Sequence, residues 1–275
     1  MKITAIIPSR GRSFQLLATI RTAQKLESGK HEVTYIVGCD SDDPETIGMC
    51  QLMKAGSAAG GQVTAHCFER TGSLGAMVNQ MCRDVPGDVY CSMCDDMLIV
   101  TPGWDDKIAE AVGRAPDGVF WWKTDEKRPA TWAIVTDNWL KAAGQMFTEY
   151  FPFWWDDLWL LETWVMASEG PLLFIDAEAE DRPAKTMRMR DLQFWTDFYE
   201  SQRPARIAAA KRIAAALGKP TTGITEKLSA AVLNLSPDFL RDIPKIEAGQ
   251  GERSPPTPEY LAAKARAETL MKEAA

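Results

Sequence analysis

The sequence predicts an α/β domain built on a mostly parallel sheet flanked by helices, followed by a helical extension at the C-terminal end. Three observations predict it. Across the first half, short apolar runs alternate with amphipathic stretches, the rhythm of successive strand–helix units. Beyond Met187 the apolar spacing becomes helical throughout. Polar clusters follow the apolar runs, where ligands bind in open α/β sheets.

The elements follow in order. Ile3–Pro8 reads as a strand, and Phe14–Leu26 as a helix with Ser13 as its N-cap. Val33–Cys39 is a second strand. Pro44–Ala55 is a helix whose preceding Asp42-Asp43 suits the positive helix end. Val63–Phe68 is a strand, Ser73–Asp84 a helix, and Asp88–Met93 a strand. After Thr101-Pro102-Gly103-Trp104 a helix runs to Arg114, and Gly118–Trp122 and Thr131–Thr136 are further strands. Trp154–Ser168 is a Trp-rich helix and Leu172–Asp176 a short strand. Ile207, Ala210, Ala214 and Leu217 fall along one helical face. Gly249–Pro258 is a linker before an Ala/Lys/Glu-rich helix, Tyr260–Ala275. The expected division is a catalytic domain over residues 1–205 and a helical extension over 206–275.

Composition narrows the class. A hydrophobic share of 45% with 25% charged residues is that of an ordinary soluble globular chain. No stretch approaches the ~18 apolar residues that cross a bilayer, so no membrane insertion is expected. Met1–Ile7 reads as a buried strand with no cleavage site, and a cytoplasmic setting is expected. Six cysteines stand at 39, 50, 67, 82, 91 and 94, and the single CxxC, Cys91 to Cys94, falls within an apparent strand. There cysteine behaves as a small hydrophobe, and a structural zinc is not expected.

The net charge of −7 is uneven. Nine basic residues against three acids lie between Arg182 and Lys219, either a solvated face or an anion-binding surface.

Four apolar runs end in conspicuous polar clusters: Pro8-Ser9-Arg10-Gly11-Arg12, Cys39-Asp40-Ser41-Asp42-Asp43, Arg70-Thr71-Gly72 and Asp95-Asp96. Four together suggest one nucleotide-sized pocket. A nucleoside diphosphate carries concentrated negative charge that a hard divalent cation on one or two carboxylates neutralises. Asp95-Asp96 would be costly to bury without such compensation. The alternative is a solvated turn.

On these residues the chain resembles the inverting family 2 of GT-A-fold glycosyltransferases. The opening strand into Pro8–Arg12 resembles that family's first nucleotide loop, and the strand ending at Asp40 its base-contacting acid. Gly72 to Asn79, Asp95-Asp96 and Pro102-Gly103-Trp104 resemble its later motifs, so that the likeness covers residues 1–165. It implies a GT-A fold and transfer of a sugar from a nucleotide-sugar donor, a UDP-sugar first among them. Donor-binding residues would be Pro8, Ser9, Arg10, Arg12, Asp40, Arg70, Gly75, Asn79 and Asp95. Asp96 and Asp95 would hold Mn²⁺ or Mg²⁺. The general base would be Asp157, with Asp156 second; helix capping is their other reading. Trp154 and Trp155 could form an apolar platform for a sugar or base, or belong to the core.

Three departures from the pattern stand out. Met93-Cys94 interrupts the usual Asp-x-Asp, Val78 replaces a frequent arginine, and no downstream histidine is present. Lys185, Arg188 and Arg190 occupy that last region, and their charges suit a diphosphate or acceptor. The basic block also suits a hydroxylated base in DNA, as in phage DNA-modifying glycosyltransferases acting in the host cytoplasm. A carbohydrate or small-molecule acceptor, or an inactive nucleotide-sugar-binding module, are the alternatives. A pyrophosphorylase or a dinucleotide-binding dehydrogenase would need a glycine-rich first loop, and Pro8–Arg12 has a single glycine.

Overall fold

The computed structural model describes residues 1–55, 62–70, 72–124, 131–168, 172–182, 190–224 and 255–274. The chain divides into two compact units. One comprises Met1–Thr71, Ala76–Met146 and Leu172–Pro183; the other comprises Gly72–Gly75, Phe147–Pro171 and Ala184–Ala275. The division expected near residue 205 falls inside the helix Arg203–Ala216.

The first unit carries every strand among the described residues. In chain order these are β1 (Lys2–Pro8), β2 (Glu32–Asp40), β3 (Gln62–Phe68), β4 (Val89–Ser92), β5 (Met97–Ile99), β6 (Val119–Lys123), β7 (Ala133–Thr136) and β8 (Leu173–Asp181). They form one sheet in the order β3-β2-β1-β4-β7-β6-β8-β5. The β3-β2-β1-β4 half is parallel throughout, with Ile6 opposite both Ile36 and Ser92. β7 runs antiparallel to β4 and β6, β6 pairs parallel with β8, and β5 pairs antiparallel with β8. β1 is buried on both faces from Ile3 to Ile7, as an interior parallel strand requires.

Helices α1 (Ser13–Lys25), α2 (Pro44–Ala55) and α3 (Leu74–Asp84) follow the first three strands. α4 (Trp104–Arg114) and α5 (Asp137–Ala143) complete the unit. Leu16, Ile20 and Ala23 of α1 and Ile108 of α4 pack in the core that also contains Ile3, Ala5 and Ile7. The α4 start has a local cause. Gly103 takes φ +68°, open to glycine at little cost, and turns Trp104 inward, where its indole N–H donates to the Ala23 carbonyl at 3.0 Å. Asp105 is buried one residue later and accepts the Ser28 N–H and hydroxyl, each at 2.7 Å.

Several expectations need correction. Ser13 is the first helical residue of α1 rather than its cap; Arg12 takes the cap position, and Ser13 Oγ donates to Glu45 Oε1 at 2.5 Å. β8 continues to Asp181 instead of ending at Asp176, with Ile175, Ala177 and Ala179 inward and their neighbours outward. β5 and α5 were not expected. α5 begins where the Thr136 hydroxyl accepts the Trp139 N–H, and ends at Gly144 with φ +79°.

The second unit is helical: α6 (Asp156–Ala167), α7 (Leu192–Ser201), α8 (Arg203–Ala216) and α9 (Pro258–Ala274). Its core is aromatic, with Phe151, Trp155, Trp159, Trp195, Phe198, Tyr199 and Tyr260. Tyr260 joins α9 to α7, accepting from Trp195 Nε1 at 3.0 Å and donating to Asp191 Oδ2 at 2.8 Å. The buried face of α8 is Arg206, Ala210, Ile213 and Ala214, not the expected stripe through Ile207 and Leu217. Residues 249–254 of the expected linker lie outside the described residues.

Arg206 decides that face. It is 0% exposed, its Nε is 2.6 Å from Glu162 Oε2 on α6, and its Nη1 donates to the Tyr199 carbonyl. The guanidinium lies 3.8 Å over the Tyr199 ring. Removing one partner of a buried pair leaves an uncompensated charge, costing about 3–5 kcal/mol. Arg206→Ala is therefore expected to lower the urea midpoint sharply, while Arg212→Ala, at an exposed position on the same helix, leaves it within error. Equal effects would contradict this account of the helix.

Candidate functional site

The four parallel strands β3-β2-β1-β4 end at one edge, and the residues just past those ends form a charged cluster. From β1, Ser9 Oγ donates to Asp95 Oδ2 at 2.7 Å. Arg10 Nη1 donates to Asp40 Oδ2 at 2.8 Å, and its fork grips both carboxylate oxygens of Asp42. Gly11 turns the loop at φ +65°, and its N–H donates to Asp43 Oδ2 at 2.8 Å. Arg12 places Nη2 2.8 Å from Asp95 Oδ1 and Nη1 2.8 Å from Asp96 Oδ2. From β3, Arg70 Nε lies 3.9 Å from both Asp40 and Asp42.

The supports of this cluster are as local as the cluster itself. Asp43 accepts from the Thr46 hydroxyl at 2.6 Å and the Thr46 N–H at 3.2 Å, capping α2. Thr19 Oγ1 of α1 donates to the Asp95 carbonyl at 3.0 Å, and Ser9 N–H donates to the Gly38 carbonyl at 2.9 Å. Burial opposes ionisation of Asp43, but its bonds from Thr46 and Gly11 outweigh it and hold the carboxyl below the usual range. The hydrogen bond from Arg10 likewise lowers Asp42, and the same bond raises Arg10. Burial, then the Asp96 charge, pushes the Cys94 thiol up to about 12, so this member of the CxxC is a poor nucleophile.

Of the expected donor residues, Ser9, Arg10, Arg12, Asp40, Arg70 and Asp95 converge here together with the expected metal ligand Asp96, and Pro8 ends β1 beside them. Asn79 is buried on α3, where its side-chain oxygen accepts the Met146 N–H at 2.9 Å. Gly75 is a packing requirement: a Cβ there would come 2.3 Å from the Thr148 carbonyl oxygen. Sequence reasoning gave no site role to Asp42, Asp43, Thr19 or Thr46. The acids were visible beside Asp40, but the threonines carried no signal, because threonines within helices have many uses.

Whether these residues suit a divalent cation follows from the donor set. Among the described residues no group of three or more His, Cys, Asp or Glu side chains could hold a metal. Asp95 and Asp96 supply carboxylate oxygens alone. That suits Mn²⁺ or Mg²⁺ completed by phosphate oxygens and water, and does not suit an all-protein cage.

In the second unit, Trp154 and Trp155 both take left-handed backbone, φ 53° and 68°, immediately before α6. Bulky residues rarely adopt this conformation, and such strain gathers at functional positions. Trp155 is buried against Tyr199, with ring centroids 5.1 Å apart, whereas Trp154 is exposed. Asp156 is buried and accepts the Asp157 N–H at 3.0 Å; Asp157 is half-buried and accepts the Leu158 N–H at 2.8 Å. Burial, then the charge of Asp157, raises the Asp156 carboxyl, and burial raises Asp157. Arg190 lies with its guanidinium 5.3 Å over the Tyr260 ring; Arg188 lies outside the described residues.

A carboxyl raised on folding stabilises the fold below its unfolded value, ~3.9, and that contribution is lost as pH rises through the folded value. Asp156→Asn keeps an oxygen for the Asp157 N–H and removes the burden. It is expected to stabilise the protein by on the order of 1 kcal/mol at pH 8, with little or no gain at pH 4. Thermal melts at both pH values check this; a loss at pH 8 would contradict it.

No protein-family model matches the sequence, and no curated protein matches it. Solved structures do. S. aureus TarS 1-349 in complex with UDP-GlcNAc superposes with TM-score 0.57 at 13% identity, covering 100% of this chain and 90% of that one. Mannosyltransferase PcManGT from Pyrobaculum calidifontis, in complex with GDP-Man and Mn²⁺, gives 0.51 at 15% identity, covering 99% and 85%. GalNAc-T7 with UDP, GalNAc and Mn²⁺ gives 0.59 at 10% identity, covering 86% and 58%. At these identities the likeness speaks to architecture, and the curled eight-stranded sheet with its flanking helices is the GT-A fold.

Proposed function

We propose that the chain transfers a sugar from a nucleotide-sugar donor to an acceptor hydroxyl, with inversion and with help from a divalent cation. One observation carries the reading. On a GT-A sheet, the polar residues past four parallel strand ends form one cluster of guanidiniums and carboxylates, where this architecture leaves its ligand crevice. TarS with UDP-GlcNAc, and GalNAc-T7 with UDP, support a uridine donor. PcManGT with GDP-Man keeps a guanosine donor as the alternative.

Asp40 is assigned to the nucleoside, held in place by Arg10. Arg10, Arg12 and Arg70 are assigned to the phosphates, and Asn79 to the shape of the crevice. Asp96, supported by Asp95, would hold Mn²⁺ or Mg²⁺, which when bound offsets charge on the departing diphosphate. Asp157 takes the proton from the acceptor hydroxyl. The hydroxyl oxygen attacks the anomeric carbon from the face opposite the leaving diphosphate. Asp157 suits the base better than Asp156 because it is the more exposed of the two, and burial raises its carboxyl, which makes it a stronger base than an ordinary aspartate. Catalysis is assigned to residues 1–205.

The acceptor proposal narrows. Arg206 is buried, so it is removed from any polyanion-binding face, and Lys211 and Arg212 are the exposed cations of α8. A hydroxylated base in DNA is retained as one acceptor, and a carbohydrate as the other. A cytoplasmic setting is proposed as well, the host's if the chain is phage-encoded. No helix among the described residues is long and apolar enough to cross a membrane.

Release of sugar from UDP- and GDP-sugars with Mn²⁺ tests the donor. Asp157→Asn is expected to lower kcat by about 10²–10⁴. The wild-type rate should rise with pH through an acid limb above the ordinary carboxylate range, since the base must be deprotonated. Unchanged turnover in Asp157→Asn would remove the proposed base. DNA binding that weakens steeply with salt and is lost in Lys211→Ala/Arg212→Ala would support the DNA acceptor; salt-insensitive or absent binding would sink it.

A further inference from the structure

We propose that Arg12 is a resident counter-ion of the Asp95-Asp96 pair. It yields Asp96 to the divalent cation that accompanies the donor and pairs with the diphosphate instead. This inference deepens the donor-site reading and rests on it.

The fork geometry is its first support. One guanidinium spans two adjacent carboxylates, with Nη2 on Asp95 and Nη1 on Asp96, each at 2.8 Å. The two carboxylates are not equivalent. Asp95 is fully buried, and its second oxygen accepts from Ser9, so its charge is met from within the protein. Asp96 and Arg12 keep side-chain exposures of 14% and 28%, so the outer half of the fork can open without unburying Asp95.

Charge supplies the second support. Among the described residues of the cluster, five carboxylates (Asp40, Asp42, Asp43, Asp95 and Asp96) stand with three guanidiniums (Arg10, Arg12 and Arg70), an excess of two negative charges. A nucleoside diphosphate arriving alone meets like charge, and a divalent cation corrects that balance. A divalent cation arriving alone has the opposite difficulty: at Asp96 it meets the Arg12 guanidinium. Phosphate resolves both, because it gives Arg12 a bidentate partner while completing the cation's oxygen shell. Weak binding of the metal by itself and strong binding with the nucleotide follow from one side chain.

Electron paramagnetic resonance of free Mn²⁺ tests this on the full chain, with and without UDP or GDP. Wild type should bind Mn²⁺ alone weakly, and at least about tenfold more tightly with nucleotide. Arg12→Gln should bind Mn²⁺ alone at least about tenfold more tightly than wild type, and adding Asp96→Asn should abolish the gain. Arg12→Lys, whose single ammonium cannot fork, should show a smaller gain and carries the test if the Gln variant folds poorly. Mn²⁺ alone should also raise the Tm of Arg12→Gln while leaving the wild-type Tm unchanged. If wild type and both Arg12 variants bind Mn²⁺ alone equally, and nucleotide still promotes binding, the counter-ion role is overturned while the donor site stands. If no variant binds Mn²⁺ with either nucleotide, both are overturned.

Discussion

Negative charge concentrated at one sheet edge is the constraint on which the first unit depends. Parallel strands bring their carboxyl ends together, and this sequence places an aspartate at or just past two of them. The guanidiniums of Arg10 and Arg12, both from one short loop, close the gap between β2 and β4 by pairing across β1. Gly11 allows that loop its left-handed turn, and the Asp43 carboxylate fixes its backbone. The loop thus serves as a structural tie, and its cations are the ones the proposal assigns to phosphate.

The second unit solves a related problem in a drier setting. Its aromatic core encloses Glu162 and Arg206 as a pair, further satisfied by the Tyr199 carbonyl and ring. Two successive left-handed tryptophans lead into Asp156-Asp157, at a backbone cost of about 1–3 kcal/mol each. Carboxyls held above their ordinary range and a strained backbone are both liabilities for stability. Both fall on the segment to which proton abstraction is assigned.

Much of this could be read from the chain. The β1–α1–β2–α2 succession was legible because its apolar runs are long and its helix signals strong, and Pro44–Ala55 matches to the residue. Polar clusters at strand ends located Ser9, Arg10, Asp40 and Asp95-Asp96 because in a parallel sheet those ends share an edge. What stayed hidden depends on distant partners. The three-residue β5 shows no periodicity, and it exists because β8 offers an edge beyond Asp176. Arg206 read as one of a basic run, since nothing nearby in sequence reveals Glu162 as its partner. Arg12 read as a donor-binding residue, and its pairing with Asp96 spans 84 residues of chain.

The central claim is that the cluster past β1–β4 is where a nucleoside diphosphate and its cation bind. A crystal structure of the protein soaked with UDP and Mn²⁺ tests it most directly. The account predicts a Mn²⁺ anomalous peak beside an Asp96 carboxylate oxygen, with diphosphate density against Arg12 and the nucleoside against Asp40. Nucleotide density away from these strand ends, or a cluster left unchanged at saturating UDP and Mn²⁺, would contradict it.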